Sequence, residues 1–138
     1  MPTILMVDDD ADLVNAIKML LEARGYRFLS ARNGEQGLQR VKQDSPDLII
    51  LDVMMDRYTE GFRFSQTLRD PDEASGYAAY RNIPLLVLTS IHRTTTHRFG
   101  PHEDSLPVDA FLEKPVPADQ LLATIDALLR KEFPRAVS

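Results

Sequence analysis

The stretch TILMVDDD at residues 3–10 decides the fold, because it joins a short apolar run directly to three consecutive aspartates. The run Ile4–Val7 contains no polar residue, which is typical of a strand buried on both faces of a parallel sheet. Apolar residues at helical spacing follow from Leu13 and end near Gly25. This succession of buried strand, polar turn and helix predicts the first unit of an α/β fold.

The same alternation continues along the chain. Four more runs are interpreted as strands, at 26–30, 48–51, 85–88 and 109–112. Helices are predicted after the capping residue Asn33, over about 61–69, and from Pro117 onward. Strands that alternate with helices predict a doubly wound parallel sheet with helices on both faces. In such sheets the functional groups gather beyond the carboxyl ends of the strands.

Composition restricts the class of protein. A chain of 138 residues fits one domain, and the absence of cysteine excludes disulfides and thiolate metal sites. A net charge of −5 argues against a nucleic-acid partner. The amino terminus has no basic segment before its apolar run, and the acidic cluster follows too soon for a signal peptide or a membrane span. We therefore expect a soluble, cytoplasmic protein without a membrane partner.

Side chains that can handle a phosphoryl group follow the predicted strands. The aspartates 8–10 follow the first strand, Asp52 ends the third, Thr89 ends the fourth and Lys114 follows the fifth. If the first and third strands are neighbours, at least three carboxylates crowd one pocket and need a compensating cation. Mg²⁺ accepts oxygen ligands, and the lysine and the hydroxyl can contact a phosphoryl group.

Four motifs at these strand ends resemble the signatures of the response-regulator receiver family. They are Val7-Asp8-Asp9-Asp10, Leu51-Asp52-Val53-Met54-Met55, Leu88-Thr89-Ser90 and Leu112-Glu113-Lys114-Pro115. Their order and rough spacing also match, and the resemblance runs from Thr3 to about Lys131. It implies a flavodoxin-like, five-stranded parallel sheet in the order 2-1-3-4-5. It also implies a receiver domain at 1–132, followed by a short tail at 133–138 and no output domain.

The resemblance implies a role for each matching residue. Asp52 would be the phosphorylated nucleophile, and Lys114 would pair with the phosphoryl oxygens. Thr89 would hydrogen-bond the phosphoryl group and act as a switch residue together with the aromatic Phe111. The implied ligands of Mg²⁺ are Asp9, Asp52 and the backbone carbonyl of Met54, together with Asp8, which would act partly through a bound water. In this family the peptide bond that corresponds to Lys114–Pro115 is often cis, and Asp10 is expected to cap the first helix.

The implied function is that of a single-domain response regulator in a two-component phosphorelay. A histidine kinase or phosphotransfer protein would supply the phosphoryl group from phosphohistidine to Asp52. Signalling would then run through binding of a downstream protein, which the sequence does not identify, or through onward phosphotransfer. We expect self-phosphorylation and autodephosphorylation, but not a turnover enzyme. A dimer formed on phosphorylation is left open.

Two segments depart from the family pattern. After the phosphorylated strand, Asp56 takes the place of a proline, and Glu60-Gly61 replaces Asp-Gly with about one extra residue. The segment 92–107 contains three consecutive threonines, a Gly-Pro pair and a further proline in place of the usual fourth helix. We interpret this segment as a feature that sets partner specificity.

Three other classes of function are compatible with parts of the sequence. A phosphatase with an aspartate nucleophile would use Asp8, with Asp10 as the acid, but the Gly-Thr pair of that class is missing nearby. A phosphorylation-independent binding module of the same fold would not need the five core residues, all of which are present. A flavin-binding protein would need a hydroxyl- and glycine-rich loop after the first strand, where three aspartates would repel a phosphate.

Overall fold

The computed structural model describes residues 2–53, 64, 66–68, 76–80, 82–89 and 109–130. The strands are β1 (Thr3–Val7), β2 (Arg27–Ala31), β3 (Leu48–Val53), β4 (Leu85–Thr89) and β5 (Ala110–Glu113). The helices are α1 (Ala11–Ala23), α2 (Gly34–Asp44) and α3 (Ala118–Leu129), with a 3₁₀ turn at Ala78–Tyr80. Residues 64 and 66–68 are also helical, in agreement with the helix predicted over 61–69. The predicted segments 92–107 and 133–138 lie outside the described residues.

The five strands form one parallel sheet in the order β2-β1-β3-β4-β5, which confirms the predicted fold class and strand order. All five residues of β1 are buried, as its uninterrupted apolar run predicts for the centre of a parallel sheet. Within the described residues, no helix is long and apolar enough to cross a membrane.

The boundaries of several elements differ from the prediction by one or two residues. The strand predicted from Tyr26 begins at Arg27, because the Tyr26 N–H donates to the Leu21 carbonyl and closes the end of α1. Pro117, predicted as the first helical residue, is instead the N-cap of α3, with an extended ψ of 143°. Asn33 caps α2 as predicted, by accepting from the N–H of Gln36 at 2.9 Å.

Helices cover both faces of the sheet and bury two apolar clusters. On one face α1 and α3 pack against the strands, with Ile17, Leu21 and Ile125 in the buried layer. On the other face α2 packs with Phe64 and Leu68. Both clusters contact the same central strands, so the sheet is held from two sides and its carboxyl ends are fixed relative to one another.

Helix α2 approaches β1 so closely that only glycine fits at one position. A Cβ atom added to Gly37 would lie 2.8 Å from Cγ2 of Val7 and 3.0 Å from Cε2 of Phe64. Real Cβ atoms do not approach other carbons this closely, so any larger residue would have to push the helix away from the strand. Val7 directly precedes Asp8, and Gly37 therefore lets α2 pack next to the strand end that carries the candidate site.

Two aspartates close the amino-terminal edge of the sheet. Asp109 Oδ2 accepts from the N–H of Leu85 at 2.8 Å, and its own N–H donates to the Leu85 carbonyl at 2.9 Å. Asp47 makes the same reciprocal pair with Thr3, at 2.7 Å in both directions. Each carboxylate satisfies the first N–H of a neighbouring strand, a structural role that the sequence analysis missed. An aspartate directly before a buried strand is the signal that could have found it.

Candidate functional site

The candidate site lies at the carboxyl ends of β1 and β3, which are neighbours in the sheet. Val7 pairs with Leu51, so Asp8 and Asp52 are the next residues along two adjacent parallel strands. The N–H of Asp8 donates to the Ala31 carbonyl at 2.9 Å, which extends the pairing with β2 by one residue. This register brings two acidic side chains from distant parts of the sequence to one edge of the sheet, as predicted.

Lys114 brings a positive charge to the same place from the turn after β5. Its ammonium nitrogen donates a hydrogen bond of 3.0 Å to Asp52 Oδ2 and lies 2.9 Å from Oδ1. The Asp52 side chain is only 1% exposed and that of Lys114 is 20% exposed. An ionised carboxylate this deeply buried needs a charged partner, and Lys114 provides it.

The carboxyl group of Asp8 is also buried, but it is only half satisfied. Oδ1 accepts from the N–H of Asp10 at 3.1 Å, whereas Oδ2 has no hydrogen-bond partner among the described residues. Burial, together with the interaction with the Asp52 carboxyl group, raises the pKa of Asp8 to about 7. The Asp10 N–H and Lys114 oppose this rise in the pKa. When both are ionised, Asp8 and Asp52 carry two negative charges, of which Lys114 balances one. The group therefore needs either a further cation or a proton.

This donor set fits a divalent cation. Asp8 Oδ2 and Asp52 Oδ1 are buried oxygens from two neighbouring chain segments. Neither accepts a hydrogen bond among the described residues, although the Lys114 ammonium lies 2.9 Å from Asp52 Oδ1. Mg²⁺ is characteristically bound by one or two carboxylates while it keeps several waters. A cation here would compensate the second negative charge, which Lys114 leaves unbalanced.

The structure does not place every predicted carboxylate in one group. Asp9 is exposed, and in the described part of the chain no three acidic or histidine side chains lie close enough together to hold a metal ion. The structure therefore shows two buried carboxyl groups at this edge, those of Asp8 and Asp52, and the role of Asp9 as a third ligand stays a prediction.

The structure describes only some of the other residues predicted for the site. The backbone of Thr89 pairs with Val53 in β3 and Glu113 in β5, at the same edge of the sheet, but its side chain is outside the described atoms. Met54 lies outside the described residues altogether. Phe111 is half-buried against the cluster under α2, and the Lys114–Pro115 peptide bond is cis, as expected. Asp10 caps α1, also as predicted.

Comparison with known proteins supports the interpretation of the geometry. A family model described as the response regulator receiver domain matches residues 4–126. Protein PilH of Pseudomonas aeruginosa is 30% identical over 129 residues, which are 94% of this chain and 98% of that protein. The DNA-binding dual master transcriptional regulator RpaA of Synechocystis is 33% identical over 131 residues, which are 95% of this chain and 50% of that protein.

A solved structure agrees with these sequence matches. The chemotaxis response regulator CheY4 of Vibrio cholerae superposes with a TM-score of 0.73 at 26% identity, over 93% of this chain and 98% of that one. Several of the curated relatives are longer, and the chain spans about half the length of these.

Proposed function

The chain belongs to the response regulator receiver domain family, and from this premise we propose that it accepts a phosphoryl group on Asp52 in a Mg²⁺-dependent reaction. The donor would be the phosphohistidine of a histidine kinase or a phosphotransfer protein. Phosphorylation would then control binding to a downstream protein or onward phosphotransfer. We further propose that the chain turns over only its own phosphoryl group and is not a multiple-turnover enzyme.

One observation carries the proposal: a buried carboxylate at a strand end is held by a lysine and flanked by a second, half-satisfied carboxyl group. Asp52 and Lys114 lie within 3.0 Å of each other, and Asp8 completes the group from the neighbouring strand. A structural ion pair would be complete without Asp8, whose burial leaves one oxygen unpartnered. A buried acid that costs stability is typical of a functional site.

In the proposed reaction, a carboxylate oxygen of Asp52 attacks the phosphorus atom of the phosphohistidine. An O–P bond forms while the P–N bond breaks, and the electron pair of the broken bond stays on the imidazole. The ammonium group of Lys114, which contacts both oxygens of Asp52 before transfer, would then pair with the phosphoryl oxygens. Thr89 would move to donate a hydrogen bond from its hydroxyl group to another phosphoryl oxygen. Phe111 would turn inward as Thr89 moves.

The residues that would hold Mg²⁺ are Asp8, Asp52 and Asp9, with the backbone carbonyl of Met54. The bound cation would supply charge compensation for the carboxylates and for the oxygens of the transferred group. Asp9 follows Asp8 directly and is exposed, so its carboxylate is accessible to an incoming cation.

An apolar groove beside the site offers a surface on which a donor protein could bind. It measures about 400 Å³ and runs between α1 and α3, lined by residues that include Ala16, Leu20 and Val116. Lys114 lines the groove as well as the site, so a protein bound there would lie directly beside Asp52. We propose that the phosphodonor rests its own apolar surface on this groove while it presents its histidine.

The phosphatase alternative is disfavoured by the observed role of Asp10. A phosphatase of that class would need this carboxylate as a free acid beside the Asp8 nucleophile. Instead, Asp10 Oδ1 accepts from the N–H groups of Asp12 and Leu13 at the start of α1. Turnover of a small aryl phosphate by the purified protein would revive the phosphatase alternative.

The test is intact-mass spectrometry after incubation with acetyl phosphate and Mg²⁺. We expect one phosphoryl adduct on the wild-type protein, and none on Asp52→Asn or on the wild type in excess chelator. Asp44→Asn, which removes a carboxylate paired with Arg40 on α2, serves as the control and should be labelled like the wild type. An adduct of equal yield on Asp52→Asn would contradict the proposal.

A further inference from the structure

Asp10 links the first helix to the metal-binding carboxyl group through two sets of hydrogen bonds. Its side chain accepts from the N–H groups of Asp12 at 3.1 Å and Leu13 at 3.3 Å, which makes it the N-cap of α1. Its own backbone N–H donates to Asp8 Oδ1 at 3.1 Å. The side chain thus fixes the backbone of residue 10, and that backbone holds the carboxyl group of Asp8.

The consequence for Asp8 is a fixed orientation. With Oδ1 held by the Asp10 N–H, the other oxygen is the one that remains buried and unpartnered beside Asp52. Asp8 is only 8% exposed, so water reaches this oxygen poorly. A ligand that is held in its binding orientation before the metal arrives loses less conformational entropy on binding.

We propose that Asp10 is a positioning residue for Mg²⁺, which it supports through the helix cap and the Asp8 carboxyl group and not through its own charge. This inference rests on the proposed function, because it presupposes that Asp8 binds the cation. It assigns to Asp10 a role beyond capping, although its carboxylate is engaged by the helix and its side chain is exposed.

Charge and positioning predict different results for substitutions at this residue. Asparagine and serine retain an oxygen that can cap the helix but remove the negative charge, whereas alanine removes both. If charge matters, the three variants should weaken Mg²⁺ binding equally. If positioning matters, only alanine should weaken it substantially, and the loss should persist at high ionic strength, where exposed charges are screened.

The experiment is calorimetric titration of Mg²⁺ into the full chain for the wild type and these three variants. We expect the dissociation constant of Asp10→Ala to rise about 3- to 10-fold, and those of Asp10→Asn and Asp10→Ser to stay within about twofold of the wild type. Asn33→Ala is the matched control, because Asn33 caps α2 in the same way, by accepting from the N–H of Gln36, and belongs to a different helix from Asp10. It should lower stability like Asp10→Ala and leave Mg²⁺ affinity unchanged.

The outcomes separate this inference from the proposed function. Equal affinities for alanine and asparagine at position 10, or equal weakening by Asn33→Ala, would overturn the positioning role while Mg²⁺ binding by the wild type stands. Absence of Mg²⁺ binding to the wild type would overturn the proposed function itself. If Asp10→Ala does not fold, Asp10→Gly also lacks the capping oxygen and costs the helix less. It should weaken binding to the same extent, and wild-type affinity in that variant would overturn the inference.

Discussion

The ammonium nitrogen of Lys114 lies within 3.0 Å of both carboxylate oxygens of Asp52, which joins the turn after β5 to the buried end of β3. The two residues are 62 positions apart in the sequence. Their contact places the positive charge where a phosphoryl group on Asp52 would need it.

Replacement of Lys114 by alanine should slow phosphorylation without moving it to another residue. Loss of a charged donor at the reacting centre removes stabilisation of the transferred group, for which we expect a decrease on the order of 100-fold in the rate of adduct formation with acetyl phosphate. Time-resolved intact-mass spectrometry measures the rate. Lys42→Ala is the control, because Lys42 is a residue of α2 whose ammonium lies over the ring of Tyr77. A wild-type rate for Lys114→Ala would exclude the role proposed for this lysine.

The free energy of unfolding should depend on pH through Asp8 when Mg²⁺ is absent. The pKa of Asp8 is raised from 3.8 to about 7 in the folded protein, chiefly by burial, so the folded state binds the proton more tightly than the unfolded state does. Protonation of Asp8 therefore stabilises the folded state. This contribution is complete below the pKa of the unfolded state, and it is lost as the pH rises through about 7. Asp8→Asn lacks this dependence, and its stability advantage over the wild type should grow by about 1 to 3 kcal/mol between about pH 5 and about pH 8.

Urea denaturation in excess chelator at several pH values measures this difference. The control Asp126→Asn removes an exposed carboxylate of α3 that pairs with Arg130, and it should follow the wild type. A constant offset between Asp8→Asn and the wild type over this pH range would show that Asp8 does not titrate as inferred.

Substitution of Gly37 by alanine should destabilise the protein although alanine favours helices. The gain in helix propensity is about 1 kcal/mol, whereas the new Cβ would lie 2.8 Å from Val7 Cγ2 and force the helix outward at a cost of about 1 to 3 kcal/mol. The outcome depends on Val7, and a double-mutant cycle with Val7→Ala tests this directly. Gly37→Ala should cost less in the Val7→Ala background, and strict additivity would rule out the clash.

Removal of the Asp109 carboxylate should destabilise the protein, because this carboxylate accepts a hydrogen bond from a buried backbone N–H group. Asp109→Ala leaves the N–H of the fully buried Leu85 without its acceptor, for which we expect a loss of about 1 to 3 kcal/mol in the free energy of unfolding. Asp109→Asn retains an acceptor oxygen and should lose less. The two values come from chemical denaturation, and an equal loss for both variants would mean that charge, and not the hydrogen bond, matters here.

The sequence was most informative where local pattern and tertiary position agree. The apolar run of β1 and the cap at Asn33 depend on neighbouring residues, so composition and spacing were sufficient to predict them. The order of the strands and the residues of the site were predicted from four motifs that resemble the signatures of one family, whose members share the same arrangement of strands. Asp47 and Asp109 were missed, because the N–H groups that donate to their carboxylates belong to strands that are distant in the sequence.

By itself, the sequence determined the succession of strands and helices and the presence of acidic residues, a threonine and a lysine at the strand ends. Only the tertiary structure decided that the carboxyl groups of Asp8 and Asp52 are buried whereas Asp9 is exposed, and that Asp8 Oδ2 has no hydrogen-bond partner among the described residues. The physical reason is that the periodicity of apolar residues reports which side of an element is buried, whereas the satisfaction of a single oxygen depends on backbone direction and on neighbours from other strands.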